Sequence, residues 1–197
     1  MNTYSSDRLV FLRSLLHSPR DVGAIFPSSP GLSNLMASQV DPQSPAILEI
    51  GAGTGPVTKA LLQRGVHPDR LVVVERDPSM ATHLRRNFPD VRVRCGDALH
   101  ASRILSDEAE EKVASVVSSL PLRNFPPADR IELVQAMMKA LAPGGQLIQF
   151  TYAFGCPIPS KQMGIHAQCL GRVWKNLPPA AVWRFTLKNE TNPPAGR

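Results

Sequence analysis

Apolar positions along this chain fall into two alternating periods. Ile47-Leu48-Glu49-Ile50, Leu71-Val72-Val73-Val74 and Val113-Ala114-Ser115-Val116-Val117 are nearly continuous apolar runs, and Val91-Arg92-Val93-Arg94-Cys95 alternates residue by residue. Both patterns predict strands, the continuous ones buried on two faces. Helical spacing fills the intervals. Ser29 caps a helix that Pro30 opens and that runs to about Val40. Pro56 opens a second, closed by Gly65, and Asp77 with Pro78 starts a third that runs through Asn87. A charged helix is predicted over about residues 101–112, and a long amphipathic one from Pro127 to Leu141. Pro143-Gly144-Gly145 reads as its stop, and Gln146 to Tyr152 as a fifth strand. Such regular alternation implies an α/β fold with a doubly wound, mostly parallel sheet.

Ahead of this core, residues 5–18 read as a short amphipathic helix that Pro19 ends. Leu9, Leu12 and Leu16 share a stripe with Phe11 and Leu15 beside it, and Arg13, Ser14 and His17 lie opposite. The pattern alone favours packing on the helix's own domain over lying in a membrane surface. The chain thus divides into an N-terminal helix and loop (1–29), one domain (30–190) and a Pro-containing tail (191–197) that reads as disordered.

The first strand runs into Gly51-Ala52-Gly53-Thr54-Gly55, a turn with glycine at every second position. Such a turn lets the backbone take positive φ and lets a ligand lie directly on it. A dinucleotide fingerprint needs its third glycine where this chain has Pro56. Proline has no N–H to offer a pyrophosphate at a helix start, so the turn reads as the seat of a nucleotide-like cofactor without a pyrophosphate there. Glu75 ends the second strand 20 residues after Gly55, about the spacing of a carboxylate that takes two ribose hydroxyls. The third strand delivers Gly96-Asp97-Ala98, the fourth Ser119, and the fifth Tyr152 to the same strand-carboxyl edge, where ligands of such sheets bind.

Composition narrows the partners. Of 197 residues, 43% are hydrophobic and 19% charged, as in ordinary globular domains, and no apolar run is long enough to cross a bilayer. Cys95, Cys156 and Cys169 form neither a disulfide framework nor a metal-ligand pair, which suits a reducing cytoplasm and no metal. Residues 30–153 hold 13 basic and 13 acidic side chains, whereas residues 154–197 hold six basic and one acidic, within a net +6. The excess charge lies outside the neutral core, where it serves a polyanionic partner or a solvated face.

The acidic-x-Gly-x-Gly-x-Gly pattern from Glu49 to Gly55 resembles motif I of the class I S-adenosylmethionine-dependent methyltransferases. Pro143-Gly144-Gly145-Gln146-Leu147 is similar to their entry to strand five, and Gly96-Asp97-Ala98 to their adenine-binding motif. Phe11-Leu12, Ile25-Phe26-Pro27-Ser28-Ser29 and Asn176 through Arg184 further resemble the bacterial phospholipid N-methyltransferases, which convert phosphatidylethanolamine to phosphatidylcholine. The resemblance implies a Rossmann-like seven-stranded sheet and S-adenosyl-L-methionine as cofactor. Glu49, Gly51, Ala52, Gly53 and Gly55 would face its methionine side, Glu75 with Arg76 its ribose, and Asp97 with Ala98 its adenine. Family members commonly have proline where this chain has Ala52.

The resemblance also implies a membrane-binding N-terminal helix, reversing the preference drawn from its pattern. Arg8, Leu9, Phe11, Leu12, Arg13, Leu16 and Arg20 would meet an anionic phospholipid surface, supported by Lys161, Arg172, Lys175, Arg184 and Lys188. The expected enzyme is a monomer or weak oligomer, peripheral on the inner face of the cytoplasmic membrane. Of Trp174 and Trp183, each a core residue or an interfacial anchor, the core reading is preferred. Ser119 would face the target nitrogen, and His100 and Tyr152 are candidate bases, with Tyr4 approaching from the N-terminal arm. Another aminolipid, such as an ornithine lipid, fits the same chemistry. A ribosomal RNA adenine dimethyltransferase shares the motif I pattern, but those enzymes carry an aromatic residue where this chain has Leu122, so no nucleic-acid partner is expected. A non-enzymatic lipid-binding module leaves the convergence at the sheet edge without a purpose.

Overall fold

The computed structural model describes residues 29–108, 112–176 and 178–187; the N-terminal helix over 5–18 and the tail from 191 fall outside them. Seven strands form one sheet in the order β3-β2-β1-β4-β5-β7-β6. Strands β1 (Ile47–Ile50), β2 (Leu71–Glu75), β3 (Arg92–Cys95), β4 (Val113–Ser118) and β5 (Leu141–Thr151) run parallel. Strand β7 (Ala180–Leu187) lies antiparallel between β5 and β6 (Ile165–Val173). Among the described residues, five α-helices cover the sheet: α1 (Pro30–Ala37), α2 (Pro56–Gln63), α3 (Pro78–Asn87), α4 (Ala101–Asp107) and α5 (Pro127–Lys139).

The period-2 alternation of side chains sorts the core into two layers. Leu48, Ile50, Val72, Val74, Val116 and Leu147 face α4 and α5, while Ile47, Val73, Val93, Val117 and Ile148 face α1, α2 and α3. All residues of β1 and β2 are buried, which is why these strands read as unbroken apolar runs. Helix starts follow local chemistry. The Ser29 hydroxyl accepts from Leu32 N–H, the Asp77 carboxylate accepts from the N–H groups of Ser79 and Met80, and Pro30, Pro56, Pro78 and Pro127 open their helices.

Three boundaries differ from the sequence expectation. Helix α4 ends at Asp107, because Glu108 turns its carboxylate onto Arg94 and Arg92 of β3 rather than extending the helix. Helix α5 ends at Lys139, and Leu141 already pairs with Val113 of β4. The segment read as a stop, Pro143-Gly144-Gly145, is therefore an irregularity inside β5, after which pairing resumes at Ser115 with Gln146. Glycine is required there: Gly144 has φ of 78°, and a Cβ on Gly145 would stand 2.9 Å from the Ala142 carbonyl and 3.0 Å from that of Ala114.

Candidate functional site

The site grows from the end of β1. Gly51, Gly53 and Gly55 all take positive φ, at 71°, 57° and 89°, but they do different work. A Cβ on Gly51 would come within 2.9 Å of Leu120 Cδ2, and one on Gly55 within 2.5 Å of Phe88 Cε2. Those two glycines let neighbouring side chains pack onto the turn. Above Gly53 there is nothing within 4 Å of a Cβ position. Gly53 is the open floor of the cradle.

Glu75, at the end of β2, holds that floor in place. Its Oε2 accepts from Gly53 N–H at 2.8 Å and its Oε1 from Asp77 N–H at 2.9 Å. Each carboxylate oxygen retains a lone pair, so the group can accept from two ribose hydroxyls as well. Asp97 follows β3, where its Oδ1 caps the next short helix by accepting from Leu99 N–H, while its Oδ2 lies 3.7 Å from Arg76 Nε. Gly96 N–H donates to the Glu75 carbonyl, so the ends of β2 and β3 are joined through the backbone. Ala98 is buried beside them.

Glu49 is the electrostatic outlier. It is fully buried on the α2 side of β1, and neither carboxylate oxygen makes a complete hydrogen bond; Thr58 Oγ1 of α2 is buried and unpartnered too. Loss of water pushes the carboxyl up to about 8; the Thr58 hydroxyl and N–H pull it down, and Glu75 repels it. A buried carboxyl with only weak contacts to Thr58 beside an open glycine cradle fits a ligand that brings a cationic amino group. The cradle, the Glu75 carboxylate and the Gly96–Ala98 segment likewise fit S-adenosylmethionine, a nucleoside with an amino acid and no phosphate.

The other half of the edge is built by β4, β5 and β7. Ser119 N–H donates to the Ile50 carbonyl, and Leu120 N–H to Ser118 Oγ, which lays Leu120 over Gly51. Gln149 of β5, fully buried, donates through Nε2 to the carbonyls of Leu120 (2.9 Å) and Phe150 (2.7 Å). Sequence reasoning missed this residue; its signal was a polar side chain on the same strand face as the buried Leu147. Asn176, also missed, accepts from Ser29 N–H, donates to the Pro178 carbonyl and hydrogen-bonds the Tyr152 hydroxyl. It fastens the β6–β7 turn to the start of α1.

Ser119 is brought to the glycine turn, and Tyr152 to the same edge. Burial raises the Tyr152 phenol above its usual range, and the Asn176 hydrogen bond only tempers this. The hydroxyl therefore stays protonated near neutrality, which weighs against the candidate role of Tyr152 as a base. His100 is a correction of place. It is exposed and lines a groove of about 390 Å³ with Arg103, Glu132, Gln135 and Lys139, residues of α4 and α5 rather than of the turn. Trp174 is 67% exposed, so the core reading fails for it. Trp183 is half-buried and stacks on Phe185. Tyr4 and the expected membrane-binding residues Arg8 to Arg20 lie outside the described residues.

An open glycine cradle at the switch between β1 and β4, with carboxylates at successive strand ends, defines a nucleoside-cofactor transferase on a doubly wound sheet. Residues 47–145 match the methyltransferase domain family, and the chain belongs to the class I S-adenosylmethionine-dependent methyltransferases. It is 35% identical over 150 residues to an ornithine lipid N-methyltransferase of Singulisphaera acidiphila, covering 74% of this chain and 78% of that one. A ribosomal RNA small subunit methyltransferase A of Maridesulfovibrio salexigens is 40% identical over 57 residues, covering 29% of this chain and 21% of that one. Among solved structures, an O-methyltransferase from Bacillus cereus in complex with SAH shares the fold, with a TM-score of 0.60 at 18% identity, covering 93% and 91% of the two chains.

Proposed function

We propose that this enzyme transfers methyl groups from S-adenosylmethionine to the amine of an aminolipid, working at the inner face of the cytoplasmic membrane as a peripheral protein. The observation that carries the reading is the 35% identity to an ornithine lipid N-methyltransferase across 78% of that chain. That places an ornithine lipid beside phosphatidylethanolamine as the headgroup to test first. Both present a primary amine on a lipid that stays in its bilayer, so the same edge geometry serves either.

Bound S-adenosylmethionine supplies a methyl group on a sulfonium, transferred in line to an amine lone pair. The chain's own residues have three tasks: hold the donor, align the amine, and exclude water. Glu49 and Gly53 would seat the methionine part, and Glu75 the ribose. The Ser119-Leu120 turn lies against the cradle through Leu120 and Gly51, so the Ser119 hydroxyl and carbonyls of this turn are the acceptors in reach of an incoming amine. The ammonium must lose a proton before attack. With Tyr152 protonated and His100 on another face, no side chain of the described residues takes the role of a dedicated base, and release to solvent at the headgroup suffices. Arg8, Leu9, Phe11, Leu12, Arg13, Leu16 and Arg20 would add reversible attachment to anionic lipid.

The test supplies methyl-labelled S-adenosylmethionine with micelles of ornithine lipid, micelles of phosphatidylethanolamine, or ribosomal RNA. Label in either aminolipid is the expected result, and mass spectrometry counts the methyl groups added. Label confined to the RNA overturns the reading.

A further inference from the structure

The carboxyl edge of the sheet carries a second feature beside the cofactor cradle. Strand β6 runs parallel to β5, because β7 is antiparallel to both. The segment after β5 and the turn after β6 therefore emerge on the edge that carries Gly53. Each presents a large aromatic ring to solvent: Phe154 is 83% exposed and Trp174 67%. Arg172 stands between them in sequence and space, donating to the Phe154 carbonyl at 2.8 Å with its guanidinium 5.7 Å from that ring's centre. Lys175 follows Trp174, and Pro178 and Pro179 of the same turn are exposed. Tying down these rings for core packing is not the explanation, since neither is buried.

We propose that Phe154, Trp174, Arg172 and Lys175 form a membrane-docking rim that seats the acceptor half of the site on a bilayer containing anionic lipid; this rests on the aminolipid reading. Charge complementarity selects that partner. No aspartate or glutamate occurs between Glu132 and Glu190, a stretch holding Lys139, Lys161, Arg172, Lys175, Arg184 and Lys188. Amphipathic rings flanked by cations settle at the headgroup level, where ring and charge both find partners. A polynucleotide would need several free phosphate donors along the rim. Arg172 and Lys175 are the two cations there, and the prolines offer no donor. A bilayer lying on this rim faces the Ser119-Leu120 turn, so a headgroup amine reaches the site while its acyl chains stay in the membrane.

The experiment uses the full chain in a Trp183→Phe background, which leaves Trp174 as the remaining one of two tryptophans. Emission is recorded with phosphatidylcholine vesicles, with and without phosphatidylglycerol, and with brominated acyl chains. Trp174 emission shifts to the blue and is quenched on the anionic vesicles. The double variant Phe154→Ala/Trp174→Ser, made in the Trp183-containing chain, loses about tenfold or more in vesicle partitioning, whereas Phe154→Trp retains it. S-adenosylhomocysteine affinity by calorimetry verifies that each variant is folded. Unmoved Trp174 emission on vesicles, or a shift produced by single-stranded RNA instead, overturns the rim. Methylation of aminolipid in detergent micelles is scored separately on the parent enzyme: its failure removes the aminolipid reading, and its success beside an unmoved Trp174 removes the rim alone.

Discussion

Glu49→Gln separates the folding role of this carboxyl from its binding role. Burial raises the group from 4.5 to about 8, so between those pH values the folded, ligand-free protein holds a proton that the unfolded chain has released. Stability therefore falls as pH rises through this window, by about 1.4 kcal/mol per pH unit and up to about 5 kcal/mol in all. Glutamine keeps the side chain's shape and never ionises. At about 2–4 °C per kcal/mol for a domain of this size, the ligand-free variant is expected to melt roughly 9–18 °C above the parent at pH 8 and to converge with it near pH 5.

Binding runs the other way. A cationic amino group against Glu49 favours the carboxylate, so S-adenosylhomocysteine binding to the parent at pH 7 should release close to one proton. Calorimetry in phosphate and in Tris reads this as a difference in apparent enthalpy equal to the difference in buffer ionisation. The glutamine variant should release none and bind about tenfold or more weakly, having lost a charge-assisted hydrogen bond. Parallel melting curves for parent and variant from pH 5 to 8, with buffer-independent enthalpies, would refute both the burial argument and the assignment of Glu49 to the amino group.

The glycines divide by what lies above them. Gly53→Ala, at φ of 57° over open space, is expected to cost about 1–2 kcal/mol of stability but to weaken S-adenosylhomocysteine binding severely by calorimetry. Gly55→Ala, whose Cβ would meet Phe88 at 2.5 Å and Leu84 at 3.0 Å, should cost about 2–4 kcal/mol by denaturant melting, since overpacking adds to the strained backbone. Gln149→Leu removes the donor that holds the Leu120 carbonyl; kcat for methyl transfer should fall about tenfold, with cofactor affinity little changed. Deleting residues 1–18 should sharply reduce flotation with anionic vesicles while cofactor binding persists, and undiminished flotation would remove that segment from the membrane role.

Fold and cofactor half were legible because their signals are local. Each buried strand is a run of four to six residues, four of the five described helices open on a proline, and the glycine turn sits in five consecutive positions. Even the place of Glu75 at the strand edge was visible from spacing alone. Its grip on the Gly53 N–H was not, because that bond spans 22 residues across two strands. The misreadings share this cause. Pro143-Gly144-Gly145 has the composition of a terminator, and only the approach of the Ala114 carbonyl shows that it is a bulge within a strand.

The acceptor half is assembled almost entirely from such long-range contacts. Gln149 reaches back 29 residues to Leu120, and Asn176 reaches 147 residues to Ser29. The exposure of Phe154 and Trp174 follows from where β5 and β6 end, which no local pattern encodes. The cofactor motif is a short word because its residues lie on one turn and the neighbouring strand ends. The acceptor half proposed above draws on whatever the remaining strands bring to the same edge, so recognition there would rest on tertiary register. That is why motif I identified the methyl donor from sequence, while the acceptor had to be sought at the β4, β5 and β6–β7 side of the sheet.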